Sequence, residues 1–257
     1  MSIRVVIPAP RDAAGVGASL GSITAQREGA EEAVVVEGAA DADPSALIED
    51  GFARAGGDVL AWLPPGDTHF AWTLRAAADI FASFPEVAWI ASLRPATVDA
   101  TGICDSVGAL PGFARDAFLD GRISPAAIHA PATFFRRSLW ERAGGRFPER
   151  GPAAAFSLWA RFFEHADLVG VDVPLAVALA YPPDPARRRA EDRVLADLRA
   201  GSGYRPSLLR AATTRLALAQ LPRIGEAIEG AFGYAGRRLL RPDRGPGRFH
   251  LEHHTFS

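Results

Sequence analysis

Residues 130–161 read APATFFRRSLWERAGGRFPERGPAAAFSLWAR, and this stretch carries the strongest fold signal in the chain. Its large apolar side chains recur at helical spacing, since Trp159 lies one turn from both Phe156 and Phe163. Such spacing is typical of a helix with one buried face. It predicts helices over residues 138–144 and 152–164 and assigns their aromatic side chains to the core.

The sequence before this stretch alternates between strand-like and helix-like segments. Short apolar runs predict buried strands at residues 4–7, 33–36, 59–63 and 87–91. Helices are predicted at residues 14–26, 43–55 and 70–84, the second with Asp43 as its N-cap before Pro44. This alternation predicts βαβ units and a mostly parallel α/β sheet flanked by helices. Ligands of such sheets bind at the carboxyl ends of the strands, which here are residues 8–12, 37–43 and 64–69.

Composition limits the class of protein. With 257 residues and 48% hydrophobic residues, the chain can form one large domain or a domain with an appendage. No apolar run approaches the roughly 20 residues of a membrane span, and the first residues do not resemble a signal peptide. The single cysteine, Cys104, cannot form an internal disulfide. We therefore expect a cytoplasmic protein.

Charge divides the chain in two. Residues 1–183 contain 14 Arg and 22 Asp or Glu, whereas residues 184–257 contain 14 Arg and 8 acids. We expect residues 1–183 to form the main domain and residues 184–257 a basic helical extension, with helices at 185–200, 206–220 and 224–240 and a mobile polar tail from 245. This extension could lie on the inner face of a membrane, pack on its own domain or contact a second copy. Nucleic-acid binding is disfavoured because no recognition module is present.

Five segments, in order, resemble family 2 glycosyltransferases over about residues 3–184. They are RVVIPAP with SLGSITAQ, EEAVVVEGAAD, GGDVLAWLPPGD, PATFFRRSLWERAGG and SLWAR. The resemblance implies a GT-A fold, a Rossmann-type, mostly parallel sheet that binds a nucleotide-sugar. It also implies inverting transfer of the sugar to a hydroxyl of a saccharide or lipid-linked acceptor, with a divalent cation, Mn²⁺ or Mg²⁺.

The resemblance places the donor site on a small set of residues. Pro8 and Pro10 match the loop after the first strand, and Glu37 stands where the family usually has an aspartate that contacts the nucleoside. Asp67 is the one acid kept from a WLNADD-like metal motif, and His69 follows as a second possible ligand. Asp67 could instead cap the helix that begins near residue 70.

The residue that would act as the general base is not evident. The family's DYD-like motif is replaced by Ala155, Phe156 and Ser157, and Tyr181 replaces a histidine. His129 and Glu149 are the candidate replacements. The alternative is a catalytically degenerate homologue that acts as a binding or scaffold protein.

Overall fold

A computed structural model of the protein describes residues 1–26, 32–99, 101–110, 112–119, 127–180, 184–202, 237–243 and 248–254. The strands are β1 Ile3–Pro10, β2 Glu32–Gly38, β3 Val59–Trp62, β4 Thr68–His69, β5 Trp89–Ser92, β6 Ala96–Val98, β7 Cys104–Val107, β8 Thr133–Arg136, β9 Val169–Val171, β10 Ala176–Leu179, β11 Arg237–Pro242 and β12 Phe249–His254. The helices are α1 Val16–Thr24, α2 Pro44–Arg54, α3 Thr73–Ser83, α4 Arg115–Leu119, α5 Arg137–Arg142, α6 Ala154–Phe163 and α7 Pro185–Ser202. No helix in these ranges is both long enough and apolar enough to span a membrane.

The main sheet has eight strands in the order β12-β11-β9-β5-β8-β3-β1-β2. Strand β8 runs antiparallel to both of its neighbours, β12 runs antiparallel to β11, and the remaining pairs are parallel. The strands are apolar because helices cover both faces of the sheet. The predicted mostly parallel α/β sheet is confirmed.

Local sequence signals explain where the first helices begin. The Asp43 carboxylate accepts a hydrogen bond from the Ser45 amide at 2.9 Å, so the predicted cap of α2 is confirmed. Helix α1 begins after Gly15, whose φ of 88° is accessible to glycine but rare for other residues. Both helices start beside the carboxyl ends of the strands that precede them.

The aromatic side chains of α5 and α6 belong to the core on one face of the sheet, as predicted. The rings of Trp62 and Trp159 stack with centroids 5.1 Å apart, and Trp159 also stacks on Trp89. Phe162 and Phe163 from α6 pack edge-on against Trp89. These contacts attach α6 to the centre of the sheet.

Two adjacent arginines at the junction of β8 and α5 anchor two other helices. Arg136 donates to the carbonyls of Phe81, Phe84 and Val87, at and just beyond the end of α3. Arg137 donates to four carbonyls at and just beyond the end of α2, those of residues 52, 55, 56 and 57. The last carbonyls of a helix lack intrahelical partners, and a guanidinium satisfies several of them at once. Neither arginine is therefore an ordinary surface charge.

The C-terminal region differs in part from the predicted helical extension. Helix α7 is present as predicted, but residues 237–242 and 249–254 are strands rather than a helix end and a mobile tail. Strand β11 pairs with β9, and Leu240 is fully buried. The exposed edge of β9 offers unpaired backbone groups, and pairing with them outweighs the local helical spacing. The predicted helix 206–220 and most of 224–240 lie outside the described residues.

A second sheet has four strands in the order β4-β10-β6-β7. Strand β4 follows directly after the loop of residues 63–67 and pairs antiparallel with β10. The second sheet therefore fixes the segment that contains Asp67 and His69.

Candidate functional site

A cavity of about 500 Å³ opens at the carboxyl ends of β1 and β2. It is lined by Ala9, Pro10, Arg11, Asp12, Ala13, Val16, Val35, Glu37 and Gly38. Two of the predicted donor-site residues, Pro10 and Glu37, therefore lie together. The position agrees with the general rule for ligands of open α/β sheets.

Pro8 does not line this cavity. It is buried within β1 opposite Val36, because β1 continues to pair with β2 as far as Pro10 and Gly38. Strand β3 pairs only with residues 3–6 of β1, so the prolines, which have no N–H to donate, lie beyond the stretch paired on both sides. The loop that the sequence placed at residue 8 begins at residue 11.

The turn after β1 brings charged side chains to the cavity. The Arg11 amide donates to the Gly38 carbonyl and the Ala13 amide donates to the Pro10 carbonyl, both at 2.9 Å. Asp12 adopts a φ of 67°, a left-handed conformation that aspartate tolerates better than most residues. Arg11, Asp12 and Glu37 are exposed, and Arg11 is the one positively charged group among the described residues that line the cavity.

Helix α1 is held against the loop that follows β3. The buried Ser19 hydroxyl donates to the Asp67 carbonyl at 2.8 Å and accepts from the Gly66 amide at 2.9 Å. The backbones of Gly15 and Gly66 are so close that a Cβ on Gly15 would lie 2.6 Å from the Gly66 Cα. The loop is therefore fixed relative to the cavity at the start of α1.

Asp67 is a buried acid rather than a helix cap. Its side chain is 3% exposed, and its Oδ1 accepts a hydrogen bond from the Leu179 amide at 2.9 Å. Burial raises the pKa of Asp67 to about 7, and the Leu179 amide partly opposes this rise. Helix α3 has Trp72 at its N-cap, so the predicted capping role of Asp67 is wrong. The pairing of β4 with β10 places Leu179 above this carboxyl group.

His69 is also buried and is already engaged by the backbone. Its Nε2 lies 2.9 Å from the Pro131 carbonyl, and its ring packs at 5.5 Å from that of Phe134. Burial lowers the pKa of His69 to about 4, so the imidazole is neutral at pH 7. Its Nδ1 is buried and has no hydrogen-bond partner among the described residues.

The residues at this edge do not fit a bound divalent cation. Mg²⁺ and Mn²⁺ prefer several ionised oxygen ligands. Asp67 supplies one carboxyl group, whose pKa burial raises to about 7, and one of its oxygens already accepts from Leu179. No cluster of three or more His, Cys, Asp or Glu suited to a metal is found within the described residues.

His129 lies at the same edge as His69. It precedes the 3₁₀ turn Ala130–Ala132, whose Pro131 holds His69. Its Nδ1 is buried without a hydrogen-bond partner in the part of the chain described here. Burial, together with the positive charge of Arg187, lowers the pKa of His129. A neutral imidazole is therefore available there at pH 7.

Glu149 lies beside the position where the resemblance implies an acid. The buried Ser157 hydroxyl accepts from the Glu149 amide at 3.2 Å and donates to the Ala154 carbonyl at 2.8 Å. Glu149 itself is exposed and lines a second cavity of about 470 Å³ between α6 and α7. Ser157 therefore has a structural role. The hydrogen bond from the Glu149 amide to Ser157 places the Glu149 residue, with its carboxylate, next to this position.

The sequence did not single out Arg11 or Ser19 as site residues. Arg11 lies within the segment 8–12 that the strand pattern marked as a ligand-binding edge, so its charge was an available signal. Ser19 carries no such signal, because its bonding partners Gly66 and Asp67 are 47 and 48 residues away in sequence.

No family model matches the sequence, and no curated protein sequence matches it. Solved structures do. S. aureus TarS 1-349 in complex with UDP-GlcNAc is 14% identical, with a TM-score of 0.60 over 84% of this chain and 71% of that chain. The TarS 1-349 complex with UDP is 13% identical, with a TM-score of 0.56 over 77% of this chain and 65% of that chain.

A mycobacterial enzyme has a similar structure. Glucosyl-3-phosphoglycerate synthase from Mycobacterium tuberculosis, in complex with Mn²⁺, UDP and phosphoglyceric acid, is 12% identical, with a TM-score of 0.51 over 100% of this chain and 87% of that chain. The match covers 39% of a longer TarS structure. At such low identities the comparisons establish the fold, and the chain has a GT-A-like α/β architecture that is structurally similar to these glycosyltransferases.

Proposed function

We propose that this protein is a glycosyltransferase that binds a nucleotide-sugar in the cavity at the ends of β1 and β2. The observation that carries the proposal is the position of this cavity, formed by Pro10, Arg11 and Glu37 at the carboxyl edge of a GT-A-like sheet. Because TarS and the mycobacterial synthase are both found in complex with UDP, a UDP-sugar is the proposed class of donor. Glu37 would accept hydrogen bonds from the nucleoside.

The proposed counter-charge for the donor diphosphate is Arg11 rather than a metal ion held by Asp67. Arg11 is exposed at the cavity, and none of the described carboxylates pairs with it. A guanidinium presents a planar fork of donors that suits phosphate oxygens. Asp67, by contrast, is buried, and one of its oxygens is already engaged by the Leu179 amide.

The proposed chemistry is a single inverting displacement on the anomeric carbon of the donor. The acceptor hydroxyl oxygen forms the new bond as the bond to UDP breaks, and a general base takes the hydroxyl proton. Glu149 is favoured as that base because it is exposed and adjoins Ser157, whereas His129 is largely buried beside the Arg187 charge. The acceptor, a saccharide or lipid-linked hydroxyl, would occupy the second cavity.

Calorimetric titration with UDP and UDP-GlcNAc, in Mn²⁺ and in EDTA, tests donor binding. We expect binding in both conditions, with affinity reduced about tenfold or more in Arg11→Ala because a charge-assisted contact is lost. Asp67→Asn should retain UDP binding. Arg54→Ala, which removes an exposed arginine at the C-terminal end of α2, is the matched control. Binding that requires Mn²⁺ and disappears in Asp67→Asn would contradict the assignment of Arg11.

Release of UDP from a panel of UDP-sugars, with saccharide acceptors present, tests the transfer step. Glu149→Gln should lower kcat by about 10²-fold or more while UDP affinity stays unchanged. The control is Glu164→Gln, which changes another acid of the same cavity and should leave the rate of UDP release unchanged.

A second candidate function is nucleotide-sugar binding without transfer. It is favoured by the loss of acid at Ser157, whose hydroxyl is now bonded within its own helix. UDP binding without release of UDP from any sugar of the panel would support this candidate over the transferase.

A further inference from the structure

A groove of about 690 Å³ lies outside the nucleotide cavity, next to the C-terminal end of α5. It is lined by Arg142, Ala143, Gly144, Arg146, Phe147, Pro148, Arg150, Arg161 and His165. Four of these nine residues are arginines, and no carboxylate is among the described residues that line the groove. The protein as a whole has a net charge of −2, so this concentration of positive charge is local.

The two walls of the groove are rigid elements. One wall consists of the last turn of α5 and the turn after it, with Arg142 and Arg146. The other consists of the last turn of α6, with Arg161, and the turn that follows it, with His165. Charged groups that converge from two elements form a site of fixed geometry.

The floor of the groove is anchored to the core. The Phe147 ring is buried and packs edge-on against Trp62 and Trp140. The Phe147 amide donates to the Glu49 carboxylate at 2.7 Å, and the same carboxylate pairs with Arg150 at 2.5 Å. The neighbours of Phe147 in the chain, including Arg146, are thereby held at the surface.

Two of the cations in the groove are not neutralised. Arg150 pairs with Glu49, and Arg161 pairs with the partly exposed Glu164. Arg142 and Arg146 are exposed, and within the described ranges no carboxylate pairs with either of them. A surface pair such as Arg161 with Glu164 is weak and can be exchanged for a better anion.

We propose that this groove, defined by Arg142, Arg146, Arg161 and His165, binds a phosphate-bearing ligand at a site separate from the nucleotide cavity. Arginine presents a planar fork of donors that matches phosphate geometry, and a concave surface of one charge sign concentrates counter-ions. The volume is sufficient for a phosphorylated sugar, and the groove is open to solvent. The proposal does not depend on donor binding at Arg11.

The test is binding of inorganic pyrophosphate to the full chain in the presence of saturating UDP, measured by calorimetry. We expect binding that weakens with added salt. Arg142→Ala combined with Arg146→Ala should weaken it about tenfold or more. Replacement of both residues by lysine should restore part of the affinity, because lysine keeps the charge but not the fork.

The matched control is Arg54→Ala combined with Arg75→Ala, which removes the same charge from exposed positions on α2 and α3. This control should bind pyrophosphate as the parent does. An equal loss in the control would overturn the proposal in favour of non-specific attraction. Circular dichroism of both double variants verifies that they fold.

A second arm identifies the source of the phosphate, using vesicles that contain phosphatidylglycerol. Vesicle binding that the Arg142 and Arg146 double variant loses would assign the groove to a lipid headgroup. Pyrophosphate binding without vesicle binding would assign it to a soluble phosphate ester. Binding of neither probe by the parent chain would refute the proposed site, whatever UDP does.

Discussion

At the scale of single residues, Asp67 shows how burial changes the role of an acid. The resemblance assigns this position to metal binding, but its carboxyl group is 3% exposed and accepts from the Leu179 amide. A carboxylate removed from water without a cation is disfavoured, so its pKa rises. The stability of the fold should therefore depend on pH through the ionisation of Asp67.

The first prediction concerns Asp67→Asn. A folded pKa of about 7, above the ordinary value of 3.8, means that the folded state holds this proton more tightly than the unfolded state does. The associated stability is complete below about pH 4 and is lost as pH rises towards 7. Asparagine keeps the acceptor for Leu179 without ionising. Its advantage in free energy of unfolding should grow to about 4 kcal/mol by pH 8, at about 1.4 kcal/mol per pKa unit.

Urea unfolding of parent and variant from pH 4 to 8.5 measures this difference. Comparison of the two proteins at each pH removes the contributions of all other titrating groups. A difference that stays constant across this range, or an Asp67→Asn variant that is less stable at pH 8, would show that the carboxylate is ionised and satisfied in the fold.

The second prediction concerns Arg137. Its guanidinium satisfies four carbonyls at and beyond the end of α2, three of them at 2.7 to 3.1 Å. Arg137→Ala leaves these acceptors without a protein donor and should lower the free energy of unfolding by about 2–4 kcal/mol. The free energy of unfolding of Arg137→Lys should lie between those of the parent and of Arg137→Ala, because one ammonium cannot reach all four carbonyls.

Chemical denaturation checks the Arg137 series against Arg142→Ala. Arg142 belongs to the same helix, but its side chain is exposed, so its removal should change stability by no more than about 0.5 kcal/mol. Equal losses of stability at both positions would mean that the loss arises from the change within α5 and not from the hydrogen bonds of Arg137 to the end of α2.

At the scale of elements, the contact between α1 and the loop after β3 fixes the start of α1, where Val16 lines the cavity at the ends of β1 and β2. Gly15 has a φ of 88°, and a Cβ there would lie 2.6 Å from the Gly66 Cα and 2.7 Å from its amide nitrogen. Both obstacles are backbone atoms and cannot rotate away. The two segments can approach this closely because Gly15 has no Cβ.

The third prediction is that Gly15→Ala destabilises the fold while a glycine-to-alanine change inside α1 stabilises it. Gly15→Ala should cost about 2 kcal/mol or more through strain and displacement of the 64–67 loop, and it should weaken UDP binding. Gly17→Ala and Gly21→Ala meet no atom within 4 Å and should gain about 0.5–1 kcal/mol from helix propensity.

Thermal unfolding of the three variants gives the sign of each effect directly. If Gly15→Ala melted as the parent does, the start of α1 would have to lie further from Gly66 than the structure places it. Loss of stability in Gly17→Ala would instead point to a contact on the exposed face of α1.

At the scale of the whole molecule, the parts of the fold that depend on local pattern were predictable. Alternating strands and helices gave the parallel sheet, and the spacing of Phe156, Trp159 and Phe163 gave the buried face of α6. What the pattern could not show depends on distant partners. Leu179 is 112 residues from Asp67, and β11 finds its partner β9 across the chain segment 172–236.

The residues of the candidate site show the same distinction between local pattern and distant contacts. Pro10 and Glu37 reach the cavity because both lie at the carboxyl ends of strands whose existence the pattern predicted. Pro8 does not, because pairing with β2 extends β1 by three residues beyond the predicted end at residue 7. The place of Asp67 and His69 after the third strand was predictable, but their burial was not, because it arises from β10 and from the turn at Pro131.

The last prediction concerns the C-terminal strands, which the charge pattern assigned to a separate extension. Deletion of residues 237–257 removes β11 and β12, exposes the edge of β9 and removes the fully buried Leu240. It also removes the ion pair of Arg238 with Glu86 at 3.7 Å. We expect a large fall in melting temperature and aggregation through the exposed strand edge.

Deletion of residues 255–257 alone leaves both strands intact and should have little effect. Leu240→Ala should cost about 2–4 kcal/mol in the intact chain, because it leaves a cavity beside the sheet. Calorimetry measures the melting temperature of these three proteins, and size-exclusion chromatography measures their aggregation. If the chain without residues 237–257 unfolded cooperatively at the parent temperature, β11 and β12 would be a separable appendage and the sheet would be complete at β9.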